Sequence, residues 1–160
     1  MNINSLSQKY SVRKLDENDV DIIYDMSCKN DIFYQYHQPF VTRESILDDM
    51  GALPPGKGYD DKFYVGFFEN DSLVGLMDLI LDYPEKEISF IGLFMTDTRY
   101  QNRGVGSGII SDVILCLKSS GYKEIRLGVD KGNPQSYSFW TKNKFTPIRE
   151  DTYILMGLRI

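Results

Sequence analysis

Six consecutive residues, Gln101-Asn102-Arg103-Gly104-Val105-Gly106, have the types and spacing to hold a phosphate. The run before them, Ile88 to Thr96, is β-branched and aromatic, which predicts a buried strand. After them Val105, Ile109, Val113, Ile114 and Leu117 recur at three- and four-residue steps until Ser119-Ser120-Gly121, which predicts a capped helix. The first N–H groups of a helix lack intrahelical acceptors, and the helix dipole adds partial positive charge at that end. Gly104 and Gly106 let the backbone approach an anion closely, and Arg103 adds a full charge beside it. A glycine turn of this kind also serves as a plain connection, so the spacing has to discriminate.

A Walker loop needs Lys followed by Ser or Thr after its second glycine, and neither is present. The dinucleotide fingerprint G-x-G-x-x-G needs glycine where Ile109 stands, the third glycine coming one residue early at Gly108. Asp130, after a later strand, imitates that fingerprint's ribose-binding acid, but the turn follows several strands rather than the first. The pattern instead resembles the signature of the GNAT superfamily of acyl-CoA-dependent N-acetyltransferases, Q/R-x-x-G-x-G/A at a strand-to-helix junction, through Gln101, Gly104 and Gly106. A second resemblance lies in Asn133, Ser136, Phe139-Trp140 and Phe145, matching that superfamily's downstream Asn, small residue, aromatic pair and closing Phe.

That resemblance implies acetyl-CoA as co-substrate and a primary amine, on a small molecule or a peptide, as acceptor. The strands ending at Thr96 and Val129 are expected to splay around the pantetheine arm, with backbone groups of Phe94, Met95 and Thr96 beside it. The pyrophosphate is expected on the N–H groups of Asn102, Arg103, Gly104, Val105, Gly106 and Ser107, and an N–H near Met95 is expected to polarise the thioester carbonyl. Asn133, Phe139 and Trp140 are expected against the cofactor, and Tyr34, Tyr36 and His37 in the region that shapes the acceptor pocket. Dimers are common in the superfamily, so a homodimer is an expectation of the resemblance.

The amine must attack as the free base, which requires a proton acceptor and a donor for the departing thiolate. The ribosomal-protein alanine acetyltransferases of this superfamily place a glutamate and a tyrosine where this chain has Gly128 and Trp140, so their proton-transfer pair does not carry over. Asp78, flanked by Leu76 and Ile80 on one strand face, is either a base whose pKa burial raises or an aspartate on a solvated face. Tyr137 precedes Trp140 by three residues and offers a hydroxyl on the same helix face, or is simply exposed. His37 serves as a base only if its loop folds over the site. A non-catalytic acyl-CoA sensor or interaction protein is the alternative that the missing pair keeps open.

The elements that must position these groups follow from hydrophobic patterning. Strands are expected over 10–15, 62–69, 73–81, 88–96, 123–129, 145–149 and 152–159, and helices over 18–29, 42–50, 105–119 and from Pro134 onward behind the cap Asn133. The aromatic stretch Asp31 to Phe40 reads as a loop or irregular helix. The fold class is therefore α/β, a mixed, mostly antiparallel sheet of about seven strands flanked by about four helices. The 160 residues, 42% hydrophobic and without a linker-like stretch, fit one domain, with residues 1–8 as a flexible lead-in. A net charge of −5 gives no footprint for nucleic acid or an anionic membrane, and the absence of a span-length apolar run or signal-like N-terminus suggests a cytoplasmic protein. Cys28 and Cys116 read as reduced core residues, and a single histidine without ligand spacing argues against a metal.

Overall fold

Three apolar runs joined by short polar turns pair as antiparallel neighbours in a computed structural model that describes residues 1–160: β2 (Lys62–Glu69), β3 (Ser72–Ile80) and β4 (Ile88–Thr96). β1 (Ser11–Lys14) adds outside β2, and β5 (Glu124–Val129) lies parallel to β4 after the crossover helix α4 (Val105–Ser119). The chain then forms α5 (Pro134–Lys142), β6 (Thr146–Glu150) and β7 (Ile154–Arg159). The seven strands are ordered β1-β2-β3-β4-β5-β7-β6, with only the β4–β5 pair parallel. β7 lies inside β6 because Met156 is fully buried, whereas β6 is exposed along its length and contains Pro147, whose missing N–H suits an edge.

Three further helices, α1 (Val20–Ser27), α2 (Asp31–Tyr36) and α3 (Arg43–Gly51), make five in all. The stretch read as a loop or irregular helix is therefore helical over its first half, held by aromatic packing of Tyr34 with Phe33 and Phe40 at 4.9 and 5.1 Å. α1 is shorter than its apolar spacing suggests. Its start is a 3-10 turn, Glu17–Asp19, in which the Asp16 side chain accepts from the Asn18 N–H and Asp19 accepts from the Asp16 N–H. The N-terminal segment does not hang free: Leu6 is in the core, and the Ser7 hydroxyl and Gln8 N–H both donate to Asp112 on α4.

The sheet carries a core on each face. The larger gathers Ile109, Ile110, Val113 and Leu117 of α4 with Trp140 and Phe145, against β1 to β5 and β7. The smaller joins α1, α2 and α3 with β2 to β4 and with Leu15 just after β1, and none of its members lies beyond Met95. The β5–β7–β6 half of that second face is thus left without a helical cover. Cys116 is buried and Cys28 partly so, both unpaired, and burial pushes the Cys116 thiol up. No helix is long and apolar enough to cross a membrane.

Two features of β4 prepare the site. β4 and β5 pair only from Ile88–Glu124 to Ile91–Leu127, after which the strands part. At that point Leu79 faces Ile91 while Asp78 faces Leu93, which leaves Gly92 as the extra residue of a bulge. A Cβ on Gly92 would come within 3.0 Å of Asp78 Oδ2, so the bulge needs a glycine to sit against that carboxylate.

Candidate active site

Where β4 and β5 part, a cavity of about 760 Å³ opens between the start of α4, α5 and the end of α2. At one end is the turn into α4. Gly104 holds φ of +76° as the helix N-cap, a left-handed conformation that glycine adopts without strain. The six N–H groups from Asn102 to Ser107 donate to no protein acceptor, and the ladder resumes only at Gly108, which donates to Gly104. Gly106 lies close under α5: a Cβ there would stand 3.1 Å from the Phe139 ring, which α5 lays over the turn. Phe139 in turn stacks on Phe94 at 5.9 Å and meets Trp140 at 5.0 Å.

The residues expected at the cofactor divide into three groups. Phe94, Met95, Thr96, Asn102, Gly104, Gly106, Ser107, Phe139 and Trp140 line the cavity. Gln101 and Asn133 also line it, but their side chains are committed to the scaffold. Gln101 Nε2 donates to Asn30 Oδ1 at 2.6 Å and to the Thr96 carbonyl at 3.1 Å, tying the turn to the α1–α2 junction. Asn133 is buried and accepts from the Ser136 N–H, as an N-cap does. Arg103 and Val105 contribute no lining side chain: Arg103 is exposed, and Val105 packs on the core. Strand alternation narrows which backbone N–H near Met95 is free to face the gap. The Asp97 N–H donates to Val74 on β3, so Met95, two residues earlier, also faces β3, and the Phe94 N–H faces the gap.

At the other end, Asp78 Oδ2 accepts from Lys62 Nζ at 2.7 Å, with the two side chains only 14% and 3% exposed. Asp78 Oδ1 is buried without a partner. Burial raises the Asp78 carboxyl above the ordinary range, and the Lys62 ammonium opposes that rise without cancelling it. Asp78 is therefore a buried, paired carboxylate on the cavity wall and not an aspartate on a solvated face. His37, at the end of α2, also lines the cavity, with Nδ1 2.9 Å from Asp130 Oδ2. Its segment does fold over the site.

The tyrosines are sorted differently from expectation. Tyr137 is 38% exposed and does not line the cavity, because Trp140 turns the apolar side of α5 inward and Tyr137 falls outside it. Tyr34 is buried in the smaller core, where burial pushes its hydroxyl up to about 12, and Tyr36 packs by the Gly132 turn. Tyr153, which is absent from the residues expected at the site, lines the cavity with its ring over Gly128; a Cβ on Gly128 would lie 2.8 Å from that ring. The only hint was a glycine at a strand position facing the site.

The acetyltransferase (GNAT) family model matches residues 25–145. The chain belongs to that family. No curated protein sequence matches it. Among solved structures, this GNAT chain is similar to an acetyltransferase from Thermus thermophilus, with 17% identity, full coverage of both chains and a TM-score of 0.80. It is also similar to the PaiA N-acetyltransferase of Thermoplasma acidophilum in complex with coenzyme A, with 18% identity, 94% and 98% coverage and a TM-score of 0.71. A third likeness is to the ribosomal-protein alanine N-acetyltransferase of Escherichia coli, at 15% identity, 94% and 93% coverage and a TM-score of 0.67. At these identities the likeness establishes the GNAT fold.

Proposed function

We propose that this GNAT protein transfers the acetyl group of acetyl-CoA to a primary amine by direct attack. The observation that carries this reading is the row of six unused N–H groups from Asn102 to Ser107, which suits the two charges of a pyrophosphate. The unpaired stretch between β4 and β5 gives the pantetheine arm a course toward Gly92, with the Phe94 N–H as the donor for the thioester oxygen. The Thermoplasma relative bound to coenzyme A supports the same donor.

In this reading the amine nitrogen attacks the thioester carbon, the C–S bond breaks, and the Asp78 carboxylate takes the amine proton, directly or by one water. Its raised pKa makes it a stronger base than an exposed aspartate. Tyr153 is our choice for the group that returns a proton to the thiolate, in place of Tyr137. The test follows free thiol from acetyl-CoA over a panel of amines, with thermal shift by coenzyme A measured in parallel. Acceptor-dependent thiol release supports the enzyme; a coenzyme A shift with no release from any amine overturns catalysis and supports the sensor.

A further inference from the structure

A second cavity, of about 540 Å³, adjoins the first across Asp78, Gly92 and Tyr153, which line both. Its floor is the half of the sheet face that no helix covers, and Ile80, Tyr83, Phe90 and Leu155 make its apolar walls. Its charges are segregated: Asp78 is the one carboxylate lining it, and Arg126 and Arg149 are its two cations. Arg126 is 24% exposed and donates through Nε to Glu124 at 2.6 Å, and Arg149 uses Nε toward Asp151. The terminal amino groups of both guanidiniums donate to nothing in the protein. A planar fork left open beside apolar walls suits a carboxylate, which it can bind with two parallel hydrogen bonds.

The register sets the separation. Phe90 pairs with both Ile80 and Arg126, and Asp78 is two residues along β3 from Ile80. Two strand spacings and two residue rises put the Asp78 and Arg126 Cα atoms about 12 Å apart, a span that the arginine side chain shortens to the size of a small acceptor. We propose that the second cavity binds the acceptor, and that the acceptor is an amino carboxylate with an apolar body, its amine at Asp78 and its carboxylate on Arg126 and Arg149. This rests on the reading that acetyl transfer takes place at Asp78.

The test compares matched acceptors that differ only in the carboxylate: phenylalanine with phenethylamine, leucine with isopentylamine, and a dipeptide with its C-terminal amide. Carboxylate-bearing acceptors should win by about tenfold or more in kcat/KM, and Arg126→Lys and Arg149→Lys should each erase most of that preference, chiefly through KM. Lysine keeps the charge and the carboxylate pairs, so loss of the preference reports the fork and not a collapsed fold. Free amino acids winning over dipeptides, or the reverse, names the source, and both support the proposal. Equal use within each pair, a preference unchanged in both variants, or a stronger preference for phosphoethanolamine overturns it. If no amine releases thiol, the catalytic reading fails on its own. The subsite is then read by thermal shift of the coenzyme A-loaded protein with phenylalanine against phenethylamine, where an arginine-dependent difference supports the proposal and none overturns it.

Discussion

The two ends of the main cavity are made of different material. The turn from Asn102 to Ser107 is a backbone site, made of N–H groups whose directions are set by a left-handed glycine and the start of a long helix. The Asp78 end is a side-chain site: a lysine from β2, an aspartate from β3, a bulge glycine from β4 and a tyrosine from the β6–β7 turn. A backbone site fails all at once when its space is filled. A side-chain site is altered one group at a time, and its charges tune one another.

The sharpest way to break that contrast is Gly106→Asp, which adds a carboxylate to the phosphate turn and bulk against Phe139. Coenzyme A binding by calorimetry should weaken by at least about a hundredfold, whereas Gly106→Ala should keep much of it, because a methyl group asks the Phe139 ring to give only slightly. Undiminished binding in the aspartate variant would remove the turn as the cofactor site. At the other end, Asp78→Asn should lower turnover by about a hundredfold while coenzyme A affinity holds. In the native protein, kcat should rise with pH through the elevated Asp78 pKa, and the asparagine variant should lose that acid limb.

Lys62→Met sharpens the tuning. The ammonium holds the Asp78 carboxyl down against the effect of burial, so removing it moves the acid limb of the kcat profile to higher pH, and movement to lower pH would refute the pairing. The same change leaves a buried carboxylate alone and should cost about 3 kcal/mol in denaturant unfolding near neutral pH. The smallest effect is expected where the two ends are joined. Gln101→Ala removes the tie to Asn30 and Thr96 and should cost about 1–2 kcal/mol of stability, with a modest loss of coenzyme A affinity. A full loss of binding would mean that the Gln101 side chain itself holds the cofactor.

The same contrast explains what could be read from the chain in advance. Gly104 and Asn133 act within a few residues of themselves, through a turn angle and a cap, so spacing carries their roles, whereas Gln101 reaches Asn30 and Gly106 sits under Phe139, contacts that spacing does not show. The limits of β2 and β4 were legible for a similar reason, since their apolar runs end at polar turns. Lys62 and Tyr153 gave no such signal. A lysine at the start of a strand ordinarily reads as solvent-facing, and only its pairing with Asp78, sixteen residues on, makes it a buried partner. Tyr137 was misplaced because a step of three residues fixes a helix face only approximately, and Trp140 took the inward position. The place of β7 inside β6 turns on burial competition within the last hairpin, with Pro147 as its one local mark.

Pro147 also bears on how the molecule meets its neighbours. A sheet grows by offering a row of free donors and acceptors at its margin, and here that margin is β6, where proline removes a donor and the irregularity between Pro147 and Arg149 breaks the row. The opposite margin, β1, is only four residues long. Neither border is a good template for lateral addition, so the sheet resists runaway strand-to-strand association.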